Sequence, residues 1–162
     1  MKRLIAALAL AGVCMNAIPL QAMAGCSPGT GSVQHTWSRA ACGPVCTVRY
    51  NGGGVISHFM DQVENMKRDR VTLRIDGPCA SACTMAADKA RPRVCITKRA
   101  LLQFHNGYYC PRGDRFRPAG YYSRDILGWV DAHGGFPGAD ADDESVLEMN
   151  YGQARAFFKA CA

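Results

Sequence analysis

The sequence predicts a wound α/β fold, in which strands of one sheet alternate with helices, built as a single disulfide-stabilised domain. Three observations carry that prediction. Short β-branched segments, Val45–Tyr50, Val71–Ile75 and Val94–Ile96, are separated by stretches whose apolar residues recur at helical spacing. Glycine turns, Asn51-Gly52-Gly53-Gly54 and Asp76-Gly77-Pro78, lie where strand should give way to helix. The chain also holds nine cysteines, eight of them behind what reads as an export signal, the combination expected of a disulfide framework.

The signal comes first. Met1-Lys2-Arg3 is a basic head, Leu4 to Val13 an apolar run, and Ala22-Met23-Ala24 places small residues at the positions a signal peptidase reads. The run is too short for a transmembrane helix. Residues 1–24 are therefore expected to be a signal peptide and residues 25–162 one domain, giving a soluble protein of the periplasm or the exterior. Met23-Ala24-Gly25-Cys26 also approaches a lipoprotein signal, which would anchor the chain through an acylated Cys26. Parity favours ordinary cleavage: it removes Cys14 and leaves an even eight of the nine cysteines, whereas acylation of Cys26 would leave seven.

Gly25 to Arg39, rich in Gly, Ser, Thr and Pro, reads as irregular, and Cys42-Gly43-Pro44-Val45-Cys46 as a turn bracketed by cysteines. The first strand, Val45–Tyr50, runs into the Asn51–Gly54 turn. Val55, Phe59, Val63 and Met66 then mark one face of a helix, with Ser57, Asp61, Glu64 and Lys67 on its other faces. Val71–Ile75 is the second strand. A helix of small residues starts near Ser81 and ends before Pro92, Val94–Ile96 is the third strand, and Leu101–Phe104 is an apolar stretch ending at His105. Beyond it, Cys110–Tyr121 reads as a loop, Tyr122–Ala132 as a helix broken by Gly134-Gly135, and Val146–Cys161 as a final helix. The net charge of +6 includes Lys2 and Arg3 of the signal, and the rest is spread without a run. That pattern argues against nucleic-acid binding.

In wound sheets, sites form beyond the carboxyl ends of strands. Asn51–Gly54, Gly77–Ser81 and His105 all occupy such positions. In Gly77-Pro78-Cys79-Ala80-Ser81-Ala82-Cys83-Thr84, a serine follows a Gly-Pro turn and opens a helix of small residues. A nucleophile placed there faces the unsatisfied N–H groups and positive dipole of the helix N-terminus. The Ala82 N–H, with one from Gly53 or Gly54, could hold a tetrahedral oxyanion. His105 supplies the base that a serine needs. The alternative reading makes Ser81 a helix cap, the glycines turns and His105 a satisfied histidine.

Asn51-Gly52-Gly53-Gly54-Val55-Ile56, then Gly77 to Cys83, then Leu102-Gln103-Phe104-His105 resembles the proteolytic subunit of Clp protease and its signal-peptide-peptidase relatives. The likeness covers about Val48 to His105, with a weaker echo through Trp129 to Phe136. It implies a Clp/crotonase-type sheet in which the Gly-Gly turn gives an oxyanion N–H, Ser81 the nucleophile and His105 the base. It further implies a peptide or protein substrate, assembly into homo-oligomers and no cofactor. The chain departs from that pattern at its N-terminus, where the first strand and helix are missing or reduced to Cys26–Cys46. The family's third catalytic member, an aspartate before a C-terminal helix, has no convincing equivalent. Asp142, Asp143, Glu144 and Glu148 lie near its place. An inactive relative that binds a peptide or partner protein is the alternative that these departures favour.

Connectivity of Cys26, Cys42, Cys46, Cys79, Cys83, Cys95, Cys110 and Cys161 is not fixed by sequence. A Cys83–Cys95 bridge would staple the nucleophile helix to the next strand, and Cys79 could join Cys110 or Cys161. Cys42, Cys46, Cys79 and Cys83 could nominally hold zinc, but export makes disulfides the stronger reading, and no metal is expected. His58 is expected to be solvated, and His35 and His133 lie beside turn residues. Asp140–Glu144 lacks the ligand spacing of a calcium loop. Tyr108-Tyr109 and Tyr121-Tyr122 are candidates for lining a peptide groove.

Overall fold

A computed structural model describes residues 36–109, 114–138 and 145–162. A short helix α1 (Arg39–Cys42) leads into strand β1 (Val45–Val48), helix α2 (Ile56–Asp69) and strand β2 (Thr72–Ile75). Strand β3 (Pro78–Ala80), helix α3 (Ala82–Lys89) and strands β4 (Val94–Ile96) and β5 (Leu101–Phe104) follow. A hairpin of β6 (Gly107–Tyr109) and β7 (Asp114–Phe116), helix α4 (Arg124–Ala132), strand β8 (Leu147–Asn150), helix α5 (Tyr151–Ala154) and strand β9 (Lys159–Ala160) complete the chain. The chain is thus mixed α/β with a parallel sheet, as its alternating pattern predicts.

The main sheet has the order β1-β2-β4-β9, every neighbouring pair parallel. In β1, Cys46 and Val48 are buried while Val45 and Thr47 face outward, the period of two that a strand imposes. Their register partners Leu73 and Ile75 are also buried, continuing one apolar face across the sheet. Helix α2 contributes Phe59, Val63 and Met66 to the same core, at the spacing that marked its apolar stripe. Trp37 closes one side of that core, its ring edge-on to Phe59 at 5.7 Å, while its backbone N–H donates to Gln62 Oε1 at 2.7 Å. Helix α3 is buried from Ala82 to Asp88. Its small residues let neighbouring backbones come close on every side.

A second sheet, β3-β5-β8, pairs β3 with β5 in parallel and β5 with β8 antiparallel. The two sheets meet at Asn51, which bridges to Cys79 in parallel: Asn51 N–H donates to Pro78 O at 2.9 Å and Ala80 N–H to Asn51 O at 2.8 Å. Close packing continues at Gly77, where a Cβ would lie 2.0 Å from Arg49 O, so only glycine fits. At the carboxyl ends of β2 and β4, Asp76 pairs with Arg99 and accepts from Thr97 Oγ1 at 2.6 Å. The Arg99 guanidinium, then the Thr97 hydroxyl, hold the Asp76 carboxyl down at about 2.

Three expectations need correcting. Part of the stretch Cys110–Tyr121, expected to be loop, forms β7, because Asp114–Phe116 finds an antiparallel partner in β6. The residues expected to form one final helix form β8, the single-turn α5 and β9. Leu147–Asn150 finds a register partner in β5, and Asn150 with Gln153 then builds a capping box that restarts the chain as helix. The bridges also differ: Cys42 joins Cys46, Cys79 joins Cys83, and Cys95 joins Cys161. Neither Cys83–Cys95 nor Cys79–Cys161 forms. Cys95 lies between the fully buried Val94 and Ile96 and so points to the opposite face of β4, whereas Cys83 belongs to the apolar core. On that opposite face Cys95 meets Cys161, which follows the neighbouring strand β9, at a Cα separation of 4.9 Å. Cys26 and Cys110 lie outside the described residues, and the suggested Cys79–Cys110 bridge does not form because Cys79 is joined to Cys83. Among the described residues no helix is long and apolar enough to cross a membrane.

Candidate functional site

Ser81 stands between β3 and α3 and caps the helix with a backbone at φ 54° and ψ −125°. Apart from Arg70, which ends α2, it is the one non-glycine residue with positive φ among those described. Such a conformation costs an L-residue about 1–3 kcal/mol and persists only where the surroundings enforce it. In strand-to-helix turns it lifts a serine hydroxyl clear of the sheet, exposed to an incoming carbonyl.

The surroundings that enforce it are specific. Ser81 N–H donates to Gln103 O at 2.9 Å, extending the β3–β5 ladder by one step. Ser81 O accepts Thr84 N–H at 2.9 Å and Thr84 Oγ1–H at 2.6 Å. Since the Thr84 proton is thereby used, Tyr122 OH donates to Thr84 Oγ1 at 2.7 Å. Thr84 and Tyr122 are both buried, and burial pushes the Tyr122 phenol well above its usual range, which keeps it a donor. The Cys79–Cys83 bridge spans the turn from strand to helix, its two Cα atoms 5.4 Å apart. The sequence held a signal for two of these features, since Cys79 and Cys83 flank Ser81 symmetrically and Thr84 follows it by one helical turn. Tyr122 had none, because its contact with Thr84 joins residues 38 apart.

Gly53 packs against the back of this turn. A Cβ at Gly53 would lie 2.6 Å from Ser81 Cβ, 2.8 Å from Ala80 O and 3.1 Å from Ala82 N. Its φ of +85° independently calls for glycine. Gly53 and Ser81, predicted to share a site, are therefore in direct contact. The Gly53 N–H donates to Asn51 Oδ1 at 2.9 Å, so it holds the turn in shape. The Gly54 N–H takes no partner among the described residues. Ala82 supplies the first amide of α3, which has no carbonyl one turn back to receive it.

His105 follows β5 directly and is half-buried. Its Nδ1 lies 2.6 Å from Asn106 O. A carbonyl can only accept, so Nδ1 carries the proton and Nε2 keeps the lone pair a base requires. Asn106 is itself fixed: its N–H donates to Pro137 O at 2.8 Å and its Nδ2 to Phe136 O at 3.0 Å. The parallel pairing of β3 with β5 brings Ser81 and His105 out at the carboxyl end of the same sheet. No hydrogen bond joins them among the described residues. The Glu148 carboxylate, a candidate third member, accepts instead from Gln103 Nε2 at 2.9 Å across β5 and β8. Asp142, Asp143 and Glu144 lie outside the described residues. The orientation of His105 comes from a backbone carbonyl.

The aromatic pairs divide. Tyr122 is buried beneath the Ser81 turn, while Tyr108, Tyr109 and Tyr121 remain exposed. His133 stacks on Trp129 with ring centroids 4.1 Å apart and donates Nδ1–H to Trp129 O at 2.7 Å. His58 is exposed on α2. No protein-family model and no curated protein matches the chain.

Proposed function

We propose that the chain is an exported serine hydrolase of the peptidase type, with the Clp/crotonase-like arrangement that its three motifs resemble. The observation that carries this reading is the enforced positive-φ conformation of Ser81 at a strand-to-helix turn, with Gly53 packed against it. A residue that merely caps a helix has no need of that backbone. In the reaction, Ser81 Oγ attacks a substrate carbonyl as its proton passes to His105 Nε2. The negative charge gathers on the former carbonyl oxygen, where the amides of Ala82 and Gly54 receive it. His105 returns the proton to the leaving amine, and water then releases the acyl group by the same steps in reverse. The Asn106 carbonyl keeps the imidazole in the tautomer this cycle requires. Export through the signal in residues 1–24 to the periplasm or beyond accords with the three bridges.

A second reading, a peptide- or partner-binding protein without catalysis, has one observation in its favour: Ser81 and His105 are not hydrogen-bonded to each other. Labelling of the oxidised mature protein with a fluorophosphonate separates the two. The hydrolase reading expects labelling that vanishes in both Ser81→Ala and His105→Ala. A well-folded wild type that does not label belongs to the binding reading.

A further inference from the structure

Bridges in one molecule need not serve the same end, and two of these differ sharply in span. Cys95 and Cys161 are 66 residues apart in sequence, whereas Cys79 and Cys83 are separated by four. Restricting the unfolded chain stabilises more as the closed loop lengthens, so the first bridge is the one suited to global stability. The second encloses little chain, but Ser81 lies at its midpoint. One end, Cys79, is fixed in register opposite Leu102 within the second sheet, and the other, Cys83, sits in the first turn of α3. Both cysteines are fully buried. The residues between them are Ala80, Ser81 and Ala82, so no larger side chain wedges the turn into place.

We infer that the Cys79–Cys83 bridge positions the nucleophile, holding the strained Ser81 turn open between strand and helix, and that Cys79 and Cys83 are positioning residues for catalysis. This rests on the hydrolase reading and extends it. The Ser81 carbonyl is gripped from the helix side by Thr84, and its N–H from the strand side by Gln103. Without the covalent tie, α3 can slide relative to β3 and let Ser81 relax towards an ordinary backbone conformation. The hydroxyl then shifts relative to His105 and to the Ala82 amide. A misplacement of about 1 Å costs on the order of a hundredfold in rate.

Two double variants of the oxidised mature protein, Cys79→Ala/Cys83→Ala and Cys95→Ala/Cys161→Ala, provide the test. Each is compared with wild type for fluorophosphonate inactivation at saturating and subsaturating probe, and for thermal unfolding. The expected result is a division of labour. The Cys79/Cys83 variant, folded by circular dichroism, loses roughly a hundredfold in the limiting inactivation rate, while the probe concentration for half-maximal rate stays within about twofold. The Cys95/Cys161 variant melts lower but keeps the limiting rate of its folded fraction. A folded Cys79/Cys83 variant that reacts at the wild-type rate overturns the inference, as does an equal loss of rate in both variants. Should Cys79→Ala/Cys83→Ala not fold, Cys79→Val/Cys83→Ala restores buried volume without the bond. Failure of both to fold also overturns the inference, because the bridge would then serve folding and not position. A folded wild type that does not label refutes the hydrolase reading itself, a result distinct from every outcome that overturns the inference about the bridge.

Discussion

Replacing Gly53 with alanine adds one methyl group behind the proposed nucleophile, and its consequence can be worked out from three distances. The new Cβ would stand 2.6 Å from Ser81 Cβ, 2.8 Å from Ala80 O and 3.1 Å from Ala82 N. The last two are backbone atoms on either side of a turn that is tied to β5 and bridged by a disulfide. None can swing aside as the end of a flexible side chain would. Overpacking of this kind costs about 1–3 kcal/mol, and the left-handed backbone at φ +85° adds roughly 1–2 kcal/mol for any residue with a Cβ. Their sum of about 2–5 kcal/mol lowers the melting temperature of a domain this size by roughly 6–20 °C. Fluorophosphonate labelling should fall further than the folded fraction does, because relief of the clash must push Ser81. Gly128→Ala is the matched control, lying inside α4 with nothing within 4 Å of its Cβ. It should stabilise by about 1 kcal/mol. A Gly53→Ala protein that melts and labels like wild type would refute the contact between turn and nucleophile.

Ser81→Gly and Ser81→Ala both remove the hydroxyl, but only glycine escapes the cost of φ 54°, so Ser81→Gly should be more stable by about 1 kcal/mol after allowing for glycine's extra freedom when unfolded. Equal melting temperatures would show that the turn is not strained. Asp76 has a folded pKa of about 2, below its unfolded value of roughly 3.9. Its contribution is therefore complete above that unfolded value and fades as pH falls towards 2. Thermal melts between about pH 5 and 2 should accordingly show a shallower acid limb for Asp76→Asn than for wild type; parallel limbs would refute the assignment. Asp88 is buried and accepts from Ser123 N–H at 2.6 Å and Arg91 Nε at 3.1 Å. Its replacement with alanine orphans both donors and should cost about 2–3 kcal/mol in chemical denaturation. The half-exposed Asp125, which also pairs with Arg91, should cost under about 1 kcal/mol when replaced.

The parts of this protein that could be read from its sequence are those whose cause is local. Phe59, Val63 and Met66 recur at helical spacing because one face of α2 must meet the core, and they are buried together. Gly77-Pro78 and the small residues after Ser81 announced a turn and a closely packed helix, and α3 begins at Ala82. Strand β3 was not legible: it is three residues opening on proline, and it exists because Asn51 and β5 pair with it from afar. Val146–Cys161 misled because its apolar content suits either a helix or an edge strand, and only β5 and β4 decide between them. At the site, Ser81, Gly53 and His105 were marked by position relative to turns and strand ends. The donors and acceptors that hold them, Asn51, Thr84, Tyr122 and the Asn106 carbonyl, depend on which segments the fold brings together.

Asn51 has a mechanical consequence. Its backbone is stitched to β3 on both sides, at Pro78 O and Ala80 N–H, while the chain just before it belongs to β1 of the other sheet. Its side chain, meanwhile, props the Gly53 amide. Joint and prop are one residue. Any flexing of one sheet against the other is delivered straight to the glycine turn and, through the contact at Ser81, to the proposed nucleophile. A site mounted in this way has little slack of its own. It keeps its geometry only as long as the two sheets keep theirs.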